Sequence, residues 1–300
     1  MKEQTQSGGV TGFVGLLALV LCLLSGTCLV TPAADAQERP QRIVSMNLCT
    51  DELLIRLVDP SRIASVTYLS QQPVNAPLGL GDVTSKLKVN HGLAEEVLML
   101  KPDLVLTGRY STTAATAMLE RQGVRVIRFD PENTFDDMRA NIRKMGKAVG
   151  DTARAEQVIA EFDKRLATLQ AQIPPGELPV FADIGVNNYV AGADTLYAYV
   201  VHAGGYRTLG EALGFSGYRN VSLEEILKIR PGLISTYTPW TDPPSISTMA
   251  LRHPALKALV ERTPQITIPE RYTTCGAPSV LGAVELLVEA RKASTPRAKP

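Results

Sequence analysis

Few side chains in this sequence are equipped for covalent or metal chemistry. The three histidines are His91, His202 and His253, and capture of a transition metal needs several imidazole and carboxylate ligands converging on one ion. His202 falls on an apolar helical face, where packing is expected, and His253 precedes Pro254 in an expected loop. No metal site is predicted. A serine nucleophile needs a Gly-x-Ser-x-Gly elbow between a strand and a helix, and "GFSGY", Gly214 to Tyr218, has the wrong spacing with little strand before it. H-E-x-x-H, Walker A and paired CxxC patterns are absent from the sequence. No catalytic residue and no cofactor are predicted, so the polar and aromatic residues are read for binding.

In open α/β sheets ligands bind beyond the carboxyl ends of strands. Residues just past the apolar runs are therefore the candidate contacts. In the first half these are Asn47, Leu48, Leu69, Asn90, His91, Arg109 and Tyr110. In the second they are Asn188, Tyr189, Tyr218, Arg219, Tyr237, Trp240 and Tyr272. Arg109 and Arg219 would suit an anionic complex through charge-assisted hydrogen bonds, and the tyrosines with Trp240 fit a broad, partly apolar ligand.

The elements that must position these residues alternate. "RIVSM" (42–46), "RIASVTY", "DLVLT", "VRVIRF" and "PVFADIG" read as strands. "TDELLIRLV" (50–58), capped by Thr50 or Asp51, "LAEEVLML", "TTAATAMLERQG" and "LYAYVVHAGG" read as helices. Such alternation predicts βαβ units and parallel sheets. The middle breaks the pattern: from 151 to about 172, Val158, Ile159, Phe162, Leu166 and Leu169 recur at helical spacing with no strand between them. That segment predicts a rod of roughly 30 Å, closed by "IPPGELP". "LEEILKI" then reads as a helix, "GLIST" as a strand and "SVLGAVELLVEARK" as a final helix.

The N-terminus has a basic start, an apolar run from Gly12 to Val30 and an Ala34-Asp35-Ala36 site, the layout of a secretory signal peptide. The run is also long enough to span a bilayer if retained. Cleavage after Ala36 would remove Lys2, Glu3 and Asp35, raising the formal charge of +1 by one. Such a balance supplies no basic stripe for nucleic acid. Cys49 and Cys275 would remain; in an oxidising compartment they pair or else persist as two buried thiols. The expected organisation is a signal segment 1–36, an α/β lobe 37–150, a connecting helix 151–173, a second α/β lobe 174–291 and a disordered tail 292–300.

One sentence is written twice. "LAEEVLMLKPDLVLT" (93–107) and "SLEEILKIRPGLIST" (222–236) align without a gap, with Glu95 on Glu224, Glu96 on Glu225 and Pro102 on Pro231. Proline disfavours helical geometry in the residue before it, so each copy stops a helix and starts a strand. Helix-loop-strand grammar reused would account for this; duplication of a lobe on either side of the rod accounts for it better.

The opening "RIVSMNLCTDELLIRL" and both copies of the repeat resemble the bacterial periplasmic substrate-binding proteins whose two lobes are joined by one rigid helix. That class serves ABC importers of iron-siderophore complexes, haem and vitamin B12. The resemblance covers about Arg42 to Glu289. It implies a ligand cleft between the lobes, a monomer, and docking on a permease dimer with its ATPase subunits through one glutamate per lobe, at Glu95 and Glu224. Without the resemblance, these glutamates would be charges at helix starts favoured by the helix dipole. It implies a ferric siderophore first, then cobalamin, then haem. Tyr218 stands where the vitamin B12 binder carries a cleft aromatic, whereas Val89 and Gly108 depart from its pattern.

Overall fold

The computed structural model describes residues 39–72, 74–75, 81–235 and 252–294. The expected signal segment, Tyr237, Trp240 and residues 295–300 lie outside the described residues. The first apolar runs become parallel strands because both faces are covered by helices, so near-continuous hydrophobic sequence is tolerated. β1 (Ile43–Ser45), β2 (Ile63–Thr67), β3 (Val89–Asn90), β4 (Leu104–Gly108) and β5 (Val126–Phe129) form one sheet in the order β3-β2-β1-β4-β5. Every neighbouring pair in it is parallel, and β1 is wholly buried.

After the rod a second parallel sheet forms from β6 (Val180–Ala182), β8 (Arg207–Thr208), β10 (Leu233–Ser235) and β11 (Gln265–Ile266), in the order β11-β10-β6-β8. A small antiparallel ribbon pairs β7 (Tyr189–Ala191) with β9 (Tyr218–Asn220). The two copies of the repeat become helix Ala94–Met99 with β4 and helix Leu223–Lys228 with β10. They end in different sheets.

The rod is helix Thr152–Gln170, and Val158, Ile159, Phe162, Leu166 and Leu169 are all buried along it. It packs on helix Phe135–Val149 closely enough that a Cβ on Gly146 would stand 2.5 Å from the Ala155 Cβ. Gly150, at φ +75°, supplies the left-handed turn between the two. Asp151 does not cap the rod through its side chain; it pairs with Arg39 and Arg62.

Several boundaries differ from the sequence reading, each for a local reason. Helix Leu48–Leu57 starts two residues early because Asn47, not Thr50 or Asp51, is its cap and accepts from the Cys49 and Thr50 amides. The final helix, Leu281–Ser294, continues to Ser294, with Lys292 bound to Glu289 and Gln172. It also does not belong to the second lobe alone. Ala283, Val284 and Val288 share a core with the rod and with Leu53, Leu54 and Ile142, while Leu287 packs with Phe181 and Tyr206. His202 is not packed: its side chain is 47% exposed and its ring pairs with Glu211. His253 caps helix Pro254–Glu261. Among the described residues no helix is long and apolar enough to cross a membrane.

Candidate functional site

The order of the first sheet reverses between β1 and β4, so a crevice is expected beyond their carboxyl ends. A cavity of about 340 Å³ lies there. Asn47 follows β1, Gly108 to Ser111 continue from β4, and Asp130 to Glu132 follow β5; all line it. The opposite wall holds Leu196, Tyr197, Val200 and Tyr218, and the loop Thr273–Gly276 closes one side.

The second sheet reverses between β6 and β10. Asp183 follows β6 and Ser235 ends β10, and both line a second cavity of about 460 Å³ together with Thr267 and Glu270. Tyr197 and Thr273 line both cavities, so the two switch points open on adjoining space.

Each wall is fixed by local bonds. Asn47 caps its helix with Oδ1 while its Nδ2 donates to Ser111 Oγ at 2.9 Å. A Cβ at Gly108 would stand 3.0 Å from Ser111 Oγ and 3.1 Å from Asn47 Nδ2, so a larger residue there would have to displace this pair. The Thr273–Gly276 loop and the turn Pro278–Val280 that follows it are each tied to helix Leu48–Leu57. Cys49 and Cys275 form a disulfide with Cα atoms 5.2 Å apart, and buried Glu52 accepts from the amide and hydroxyl of Ser279 at 3.2 and 2.8 Å.

The structure brings together Asn47, Arg109, Tyr110 and Tyr218, with Tyr189 stacked on Tyr218 at a centroid distance of 5.5 Å and an interplanar angle of 7°. The other sequence candidates stand elsewhere. Asn90 is buried and donates to Ser45 O, Ser65 Oγ and Val66 O, a brace between strands. His91 stacks on Tyr68 and faces Glu96. Arg219 pairs with Glu225 at 2.9 Å over the Phe215 ring. Tyr272 is buried in the core against Gly282. Asn188 is buried and bonds Val221 O.

Arg109 forms an ion pair with Asp130, which holds that carboxyl below its ordinary range. Two further carboxyls at the cavity walls were not among the sequence candidates. Burial pushes the Glu132 carboxyl up, with Asn141 donating to it. Burial also raises Asp183, which accepts from Tyr197 and Ser235; the Tyr197 phenol is raised well above its usual value by burial and by the Asp183 charge. Asp183 was missed because "PVFADIG" reads as one strand, whereas the strand stops at Ala182. Had it been read that way, the same strand-end rule that selects Asn47 would have selected Asp183.

The repeated glutamates separate into two kinds. Glu96 accepts from the His91 amide at 2.8 Å, and Glu225 accepts from the Ser222 amide at 2.8 Å in a capping box. Glu95 and Glu224 are exposed, and neither is in an ion pair among the described residues.

Comparison with known proteins agrees with this architecture. YvrC of Bacillus subtilis, an uncharacterised ABC transporter substrate-binding lipoprotein, is 26% identical over 214 residues, covering 67% of this chain and 64% of its own length, a little under two thirds. A vitamin B12-binding protein of Pectobacterium atrosepticum is 26% identical over 228 residues, covering 71% of this chain and 76% of its own. A crystal structure of a possible iron-binding periplasmic solute-binding protein from Staphylococcus epidermidis superposes with a TM-score of 0.69 at 18% identity, covering 84% of this chain and 99% of that one, a likeness of fold. The family described as "Periplasmic binding protein" matches residues 43–259; with two parallel sheets and a cavity at their switch points, this chain belongs to that family.

Proposed function

We propose that this chain is the solute-binding component of an ABC importer, capturing a metal chelate in its cleft and delivering it to a permease dimer driven by ATPase subunits. The observation that carries this reading is the adjoining of the two switch-point cavities through Tyr197 and Thr273. A ligand there is gripped from both sheets. Stacked Tyr189 and Tyr218 and exposed Tyr110 offer the flat, amphipathic surface that a broad chelate needs. Export through the 1–36 segment agrees with a Cys49–Cys275 disulfide, which an oxidising compartment sustains.

A ferric siderophore is the first ligand class and cobalamin the second, with haem third; vitamin B12 and iron in the names of similar proteins support a metal-centred cargo. The chain performs no chemistry, binds no nucleotide and acts as a monomer. Delivery uses Glu95 and Glu224 as two exposed charges set in different halves, because electrostatic complementarity orients an encounter without adding to ligand affinity.

The test is titration of the purified protein with ferric hydroxamates, ferric catecholates, cobalamin and haemin, read by quenching of its single tryptophan. At least one should bind below about 10 μM, roughly 7 kcal/mol of binding free energy. Binding of none would remove the chelate reading.

A further inference from the structure

The charge around the cleft is unbalanced. Arg109 is the one Lys or Arg among the described residues lining either cavity, and Asp130 already holds it, with Lys144 Nζ a further 4.0 Å partner for that carboxylate. On the other side stand Glu132, Asp183 and Glu270. Neither Glu132 nor Asp183 has a cationic partner among the described residues; their bonds come from Asn141, Tyr197 and Ser235, all neutral donors. The internal segments outside the described residues, 73, 76–80 and 236–251, contain no Lys, Arg or His, so their sequence offers no compensating cation.

Carboxylates taken out of water without a counter-charge are unfavourable, and an anion brought beside them is worse. A cation reverses both terms. Tyr110 and Tyr218 line the same walls, Tyr218 with one face stacked on Tyr189, and aromatic rings attract cations and repel anions at their faces through the ring quadrupole. Arginine pairs were the sequence argument for an anionic cargo, and Asp130 and Glu225 neutralise both of them.

We infer that the cleft selects a chelate bearing positive rather than negative charge, an ammonium-bearing ferric complex being the best-matched class, with Glu132 and Asp183 facing the charged end. This rests on the reading of the chain as a chelate binder. It concerns the sign of the cargo's charge, which the ligand's size and shape do not determine.

The test holds shape fixed and varies charge. The ferric complex of desferrioxamine B has a free terminal amine; its N-acetyl and N-succinyl derivatives make that end neutral and anionic. Cyanocobalamin with one peripheral amide converted to an aminoethylamide or to a carboxylate gives a second such series. Haemin and a ferric tris-catecholate complete the panel as anions. On whichever scaffold binds, the cationic form should bind at least about fivefold tighter than the anionic form, on the order expected for a single charge at a half-wet site. Glu132→Gln with Asp183→Asn should erase that preference with its thermal melting point within a few degrees of the parent, because each amide has the shape of the carboxylate it replaces and keeps one acceptor oxygen. A preference equal across the series, a preference for the anionic form, or haemin or the catecholate as the tightest ligand would overturn the inference and leave the chelate reading standing. If no complex binds, both fall.

Discussion

Asp51 shows how a single buried carboxyl can set the pH response of the fold. Its Oδ2 accepts from the Thr67 amide and hydroxyl and from Ser70, at 3.0, 2.5 and 2.6 Å, and burial pushes its pKa up to about 6 from 3.8. Because the folded value lies above the unfolded one, the folded state holds the proton more tightly. This contribution to stability is complete below about pH 4 and is lost as pH rises through about 6. Asp51→Asn keeps the acceptor and removes the charge. The stability of the variant relative to the parent should therefore rise by about 2 kcal/mol between pH 4 and pH 7, a little under two pKa units at 1.36 kcal/mol each, because the unfolded carboxyl is already partly ionised at pH 4. Urea unfolding of both proteins at the two pH values checks it, and an unchanged difference would show that Asp51 is not protonated in the fold. At this scale the sequence was partly legible. Asn47 directly follows a strand the pattern placed, and it lines the first cavity. Asp183 was hidden because its strand stops at Ala182, three residues short of the end the pattern gave it. Glu132, in contrast, lies three residues past β5, whose end at Phe129 the pattern did place, and reads as ordinary loop. Arg109 and Arg219 were visible as charges, but their partners Asp130 and Glu225 are visible only in three dimensions.

Helices and loops carry the next level of constraint. The Cys49–Cys275 bond closes a separation of 226 residues and fixes the loop that walls the cavity. Its removal in Cys49→Ser with Cys275→Ser should cost about 2–5 kcal/mol of stability, and the parent in reductant should match the double variant; identical unfolding midpoints with and without reductant would contradict this. The rod depends on close approach at Gly146. Gly146→Val would force a methyl-bearing carbon into Ala155 and should cost about 1–3 kcal/mol, lowering the melting point by several degrees. The periodicity of the rod and the proline stops of the repeat were legible because they are local. The two copies nevertheless differ in detail: Ser222 forms a capping box, whereas Leu93 cannot, and Lys101 adopts φ +47° before Pro102. The last helix was legible as a helix but not as a bridge. Its alanines and valines look alike from sequence, and only packing shows some against the rod and Leu287 against the second sheet.

At the scale of the whole molecule, one fold has to serve two surfaces. The cleft lies where the sheets' strand orders reverse, and the exposed glutamates proposed for docking, Glu95 and Glu224, lie on the repeated helices, so the two proposed roles are separable by mutation. Glu95→Arg with Glu224→Arg should abolish uptake in cells while leaving the ligand dissociation constant of the purified protein unchanged; a tenfold loss of affinity would contradict the division. The two halves are visible in the sequence because the helix-proline-strand unit is written in both. It was silent about how the walls are neutralised. The central claim, that a metal chelate is held between the two sheets, is tested most directly by titrating the tightest-binding complex of the panel against the parent protein and against Tyr218→Ala. The parent is expected to bind with a dissociation constant below about 10 μM and the variant at least tenfold more weakly, whereas equal affinity in both would place the ligand outside the cleft.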